Sequence, residues 1–220
     1  LDFFKSNKAK LFVVLQQRLN PYIRLLKNQI DKGRFGKIAL ISSNVFWHRD
    51  QDYYDEAKWR GTKLFDGGIL LNQACHFLDL ISFLPNEKLK KVSSFVSTLE
   101  REIETENNAV LNLKYENGVL GNLALTMLTY PKNLESSISV LGTLGSVKIG
   151  GTALNKIIIW KFSDKYDDEK IIQDANHKID SFLELGHFYF YEELIEIFND
   201  KKHNLMSVNQ GLLSLELAIR

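Results

Sequence analysis

"NNAVLNLKYENGVLGNLALTML", residues 107–128, decides the fold. It reads as two strand-like runs, "NNAVLNLKYENG" and "GVLGNLALTML", meeting at "YENG" (115–118), where Asn and Gly are the residues a tight hairpin turn asks for. The neighbouring segments continue the pattern. "LKKVSSFVSTLER" (89–101) precedes it, and "ESSISVLGT" (135–143), "GSVKIGG" (145–151) and "NKIIIWKFS" (155–163) follow, with "GTLG" (142–145) as another turn. Strand runs joined by short turns, with helices gathered before and after them, specify an α+β protein. The expected architecture is a large, mostly antiparallel sheet covered by helices on one face.

Upstream, "KAKLFVVLQQRLNP" (8–21) holds an apolar run of strand length, and Asn20 and Pro21 then supply an N-cap and a first-turn proline for "YIRLLKNQIDKG". "GKIALISSNVFW" (36–47) is β-branched and alternating, so it reads as a further strand. Residues 45–66, "VFWHRDQDYYDEAKWRGTKLFD", show no clear period. Phe46, Trp47, Tyr53, Tyr54 and Trp59 make disorder a poor description of them, and an ordered lid or pocket wall a better one. At the far end, "GHFYFYEELIEIFNDKK" (186–202) and "SVNQGLLSLELAIR" (207–220) read as two helices, with Ser207 capping the second.

"GGILLNQACHFLDL" (67–80) lies within a helix expected over 68–84, where Asn72, His76 and Asp79 share one face and Leu70, Leu71, Ala74, Leu78 and Ile81 cover the others. Exposed helical faces carry Lys and Glu; this face carries neither. Each such polar group, if buried without a partner, costs about 1–3 kcal/mol, so each must find one in the protein or in a ligand. His76 is either a satisfied core histidine or the group that meets a bound hydroxyl, since imidazole exchanges protons near neutral pH. Asp79 fits a structural hydrogen bond. Cys75 cannot face His76 from the adjacent helical position and reads as a small buried thiol. Lys58, Arg60 and Lys63 are candidates to hold an anion or are simply surface residues.

Composition excludes several classes. A net charge of +1 leaves no basic footprint for nucleic acid. One cysteine and five histidines without CxxC or HExxH imply no metal site and no intrachain disulfide, which fits a reducing cytoplasm. No apolar run approaches the roughly 20 residues of a membrane span. The chain starts at Leu1 and stops at Arg220 within a helical pattern, so both ends look cut from something larger.

"QQRLNP", "GRFGKI", "WRGTKLFDGGILLNQACHFLDL" and "GHFYFYEELI…SLELAI" resemble the Gfo/Idh/MocA oxidoreductases over almost the whole chain. In "WRGT" and "NQ" the likeness is nearest to nucleotide-sugar 3-dehydrogenases acting on UDP-N-acetylglucosaminuronate. The resemblance implies an N-terminal Rossmann domain binding NAD, of which residues 1–18 would be the last strand. Residues 19–220 would be the substrate-binding and oligomerisation domain, forming a homodimer or homotetramer through its open sheet face. Neither a G-x-G-x-x-G loop nor the family's lysine-bearing segment is present, so the chain alone is expected to bind NAD weakly and to be inactive.

Carried over by position, His76 would be the acid/base at the sugar hydroxyl, acting beside the missing lysine. Asn72 stands where many members have an aspartate, and it can orient a hydroxyl but cannot ionise. Arg18, Asn20, Arg60, Gln73 and His187 would contact the substrate. The activity implied is NAD-dependent oxidation of a ring hydroxyl, C3, of a nucleotide-linked sugar. Two other readings stand beside it: a noncatalytic sheet-mediated assembly or sugar-binding module, and a family member acting on inositol or a free sugar.

Overall fold

The computed structural model describes residues 6, 11–199 and 206–219. A seven-stranded sheet runs β3 (Leu89–Ser97), β4 (Asn108–Tyr115), β5 (Leu120–Thr126), β2 (Ile38–Phe46), β6 (Glu135–Gly142), β7 (Gly145–Gly150), β8 (Lys156–Phe162). Only the central β2–β5 pair is parallel; every other neighbour is antiparallel. The strands expected from residues 107–128 pair as a hairpin. Gly118 at its turn holds φ +90°, which a side chain would resist, and Val119 N–H donates to Asn117 Oδ1 at 3.0 Å.

The two faces of the sheet differ sharply. Across one transect Leu111, Leu123, Ser43, Ile138 and Ile149 are in register and buried. On the other, Phe95, Val110, Leu120 and Leu141 stay exposed, with half-buried Leu40 among them. The buried face belongs to one core with helices α1 (Pro21–Asp31) and α3 (Cys75–Phe83), which contribute fully buried Ile23, Leu26, Leu78, Leu80 and Ile81. Tyr115 ties sheet to helix, donating its hydroxyl to the Ile81 carbonyl at 2.6 Å.

Asn20 caps α1 as expected: its Oδ1 accepts from Tyr22 N–H at 2.9 Å and Pro21 occupies the first turn. Residues 45–66 leave β2, form the short helix α2 (Gln51–Asp55) and continue through turns to Gly67.

Three boundaries differ from the sequence reading. The helix expected over 68–84 begins only at Cys75. Gly67 and Gly68 hold φ +72° and +88°, and the backbone beyond them is tied to Glu106: Ile69 N–H donates to its carbonyl and Leu70 N–H to its carboxylate. Asn72 therefore sits in a turn that leads into the helix carrying His76 and Asp79.

The helix expected from Gly186 starts at Glu169, as α4 (Glu169–Phe198). Ala175 and Ile179, four apart, bury the stripe that defines its early turns; residues 200–202 lie outside the described residues. The strand expected within 8–21 is β1, Phe12–Val13, and it pairs antiparallel with β9, Met206–Ser207. Helix α5 (Val208–Ile219) follows directly on Ser207.

Candidate active site

His76 is the second residue of α3, whose N-terminus is set by the glycine turn and by Glu106 rather than by a side-chain cap. Its Nδ1 is buried and has no hydrogen-bond partner among the described residues. Burial, and then the nearby His187 imidazole, hold His76 below the ordinary histidine range, so the ring is neutral near pH 7. His187, exposed on α4, is thus near enough to act electrostatically on His76, though it comes from an element far away in sequence. Cys75 turns away: its thiol donates to the Asn72 carbonyl at 3.3 Å, and burial pushes it up.

One turn along α3, Asp79 is 1% exposed and receives Arg18 side-on, Nε to Oδ2 at 2.7 Å and Nη2 to Oδ1 at 2.6 Å. Phe83 lies 4.1 Å beneath the guanidinium. Burial pushes the Asp79 carboxyl up, against the pull of Arg18. The structural role expected of Asp79 is filled, and its partner is Arg18, which the resemblance assigned to substrate. Asn20 is fully buried as a helix cap, its Nδ2 donating to the Leu154 carbonyl at 3.2 Å.

The remaining candidates gather around Tyr53. Gln73 Nε2 donates to Tyr53 Oη at 2.7 Å, and Gln73 Oε1 accepts from Arg49 Nη2 at 3.2 Å. Arg60 stacks on Tyr53 at 4.1 Å and donates to the Tyr53 carbonyl and to Glu56; Arg49 flanks the same ring at 5.0 Å. Asn72 donates to Asp66, whose other oxygen accepts from Gly61 N–H.

Between Tyr53, Asp66, Asn72, Gln73 and Glu106 a crevice of about 10 Å³ remains, the size of one water. Two larger hollows, about 270 and 310 Å³, lie elsewhere, beside Tyr115 and beside Arg24. Arg49, Tyr53, Asp66 and Glu106 escaped the sequence reading because they lie in aperiodic loops or in the short helix α2, with contacts that reach as far as 84 positions, from Arg49 to Asn133. For Arg49, Tyr53 and Asp66 the signal was the density of aromatic and charged residues over 45–66; Glu106 had none.

The chain thus offers a neutral buried imidazole whose Nδ1 has no partner among the described residues and, reached three residues earlier through Gln73, a cluster of amide and guanidinium donors. That is a set suited to a polyhydroxylated, anionic molecule. Residues 23–148 match the GFO/IDH/MocA C-terminal domain model, and the chain belongs to this family of oxidoreductases. Two solved structures are similar over 98% of the chain. The WlbA dehydrogenase from Bordetella pertussis, in complex with NADH and UDP-GlcNAcA, is 40% identical with a TM-score of 0.93. The WlbA enzyme from Chromobacterium violaceum, in complex with the same two molecules, is 42% identical with a TM-score of 0.90.

This chain covers 62% and 60% of those two proteins. A 1-carboxy-3-chloro-3,4-dihydroxycyclohexa-1,5-diene dehydrogenase from Comamonas testosteroni is 33% identical over 100 residues, 44% of this chain and 24% of that protein. Among the described residues no helix is long and apolar enough to cross a membrane, and no cluster of three metal-ligating side chains occurs.

Proposed function

We propose that this chain is the substrate-binding part of an NAD-dependent dehydrogenase that oxidises a ring hydroxyl, at C3, of a nucleotide-linked sugar acid. The observation that carries the proposal is His76: a neutral imidazole whose buried Nδ1 has no partner among the described residues, at the start of a helix preceded by the hydrogen-bonding side chains of Asn72 and Gln73. A sugar hydroxyl gives that ring a partner and a proton to take. Likeness to two enzymes solved with NADH and UDP-GlcNAcA supports the cofactor and the substrate class.

NAD, when bound, supplies the hydride acceptor. The residues described here fit the sugar rather than the dinucleotide, for no glycine-rich phosphate loop is present. His76 holds the hydroxyl and receives its proton as the C–H bond is lost. Asn72 and Gln73, fixed by Asp66 and Tyr53, orient the ring. Being neutral at pH 7, His76 needs no prior deprotonation. Domain division follows the same reading, with residues 19–220 as the sugar-binding and assembly domain. A second copy of the chain covers the exposed Phe95, Val110, Leu120 and Leu141 face.

The test is NADH formation by the intact protein carrying this chain, supplied with NAD+ and UDP-GlcNAcA deuterated at C3. The deuterium is expected on the nicotinamide, transferred as deuteride, and His76→Ala is expected to cut kcat about 10²-fold or more with an unchanged melting temperature. Full activity in His76→Ala removes His76 from the mechanism, and deuterium left on the product removes C3.

A further inference from the structure

Four arginines of the described chain are neutralised by carboxylates: Arg18 by Asp79, Arg24 by Glu193, Arg34 by Asp164 and Asp168, and Arg60 by Glu56. Arg49 differs. Among the described residues its partners are the His48 carbonyl at 2.6 Å, Asn133 Oδ1 at 3.4 Å and Gln73 Oε1 at 3.2 Å, all neutral, and its Nε is buried with no acceptor. Arg101, which donates to the Arg49 carbonyl at 2.9 Å, is described with carbonyl acceptors only. Neither Arg49 nor Arg101 has an ion pair among the described residues. Withdrawing a cation from water without a counter-charge is unfavourable, and an anion brought by a ligand removes that penalty.

The Arg49 guanidinium is also held in place. Its central carbon lies 5.4 Å from the Trp47 ring centroid and 5.0 Å from that of Tyr53, so its plane is set before any ligand arrives. Of the five N–H groups of a guanidinium, the Nε–H and one Nη2–H are uncommitted. These are the two nitrogens with which Arg18 grips both oxygens of Asp79. Gln73, bonded to Arg49, stands three residues before His76, which links the cation to the reactive end of α3.

We infer that Arg49, together with Gln73, forms an oxyanion subsite that takes a carboxylate or phosphate group of the substrate side-on. The identity of the ligand rests on the nucleotide-sugar reading above; the subsite rests on the Arg49 geometry. A sugar nucleotide offers both oxyanions, the uronate carboxylate and the diphosphate.

The experiment measures dissociation constants of UDP-GlcNAcA and of UDP-GlcNAc, which lacks the carboxylate, for the intact protein and its Arg49→Gln and Arg49→Lys variants. Stabilisation of each by inorganic phosphate and by glucuronate is followed by thermal melting. Arg49→Gln is expected to weaken UDP-GlcNAcA about 30-fold or more. If UDP-GlcNAc is unaffected the group is the carboxylate; if both weaken alike it is the phosphate. Arg49→Lys keeps the charge without the fork and guards against a folding defect; it is expected to recover only part of the loss.

Should the wild type bind neither nucleotide sugar, the function proposed above fails on its own. The subsite then stands if phosphate or glucuronate raises the wild-type melting temperature but not that of Arg49→Gln. Binding and melting shifts in Arg49→Gln within twofold of wild type, or a wild type that no anion stabilises, overturn the inference.

Discussion

Breaking the Arg18–Asp79 pair should unfold this chain more readily than any surface change, while replacing both partners should not. The carboxylate is 1% exposed and the guanidinium side chain 9%, and the two charge-assisted bonds are 2.7 and 2.6 Å. Asp79→Ala leaves the cation against Phe83 with no counter-charge, at a cost of about 3–5 kcal/mol. For a chain of this length each kcal/mol moves the melting temperature by about 2–4 °C, so the fall is about 6–20 °C. Arg18→Met with Asp79→Leu removes both desolvation penalties together with the attraction, and is expected to stay within about 1 kcal/mol of wild type. Thermal melting of the three proteins checks this. A melting temperature for Asp79→Ala within 2 °C of wild type would refute the reasoning. The double variant also tests the substrate role implied for Arg18: a KM increase in a protein of normal stability is the outcome expected if the guanidinium contacts the ligand, and an unchanged KM removes that role.

Because His76 is held below the ordinary histidine value, the acid limb of the kcat/KM profile is expected below pH 6.5. His187→Gln, which removes the second-largest cause, should move that limb upward, and an unmoved limb disproves the coupling. The same depression means that the unfolded chain takes up a proton at His76 before the folded one does. Stability should therefore decline as pH falls through 6.5 towards the folded value and level off below it, as denaturant titrations can show; His76→Gln should flatten that decline. Gly68→Ala puts a methyl 2.3 Å from Glu106 Oε1 on backbone at φ +88°, and a loss of about 1–3 kcal/mol is expected; a neutral result would mean that the turn is not what starts α3. Phe95→Glu on the open sheet face should lower the mass measured by light scattering to that of one copy, without lowering the melting temperature; an unchanged mass places the interface elsewhere.

The sheet was legible because hairpin pairing is local: each run from "LKKVSSFVSTLER" to "NKIIIWKFS" carries its own β-forming residues and ends on turn chemistry that the neighbouring residues supply. The Asn20–Pro21 cap was legible for the same reason. Helix α4 was read short because its early stripe, Ala175 and Ile179, is sparse and lies among polar residues. The start of α3 was misread because a helical period in residues 68–74 was overruled by Glu106, thirty-six positions beyond Leu70.

Short-range chemistry, then, settled the architecture, the family likeness and His76 as the residue to watch, since period, turns and caps are written within a few residues. Tertiary structure alone decided which polar groups are spent on one another and which are spare. Arg18 is consumed by Asp79 and Asn20 by the α1 cap, while His76 Nδ1 and Arg49 Nε have no partner among the described residues. A side chain's availability depends on what the rest of the chain brings within 3 Å of it, and no local pattern encodes that.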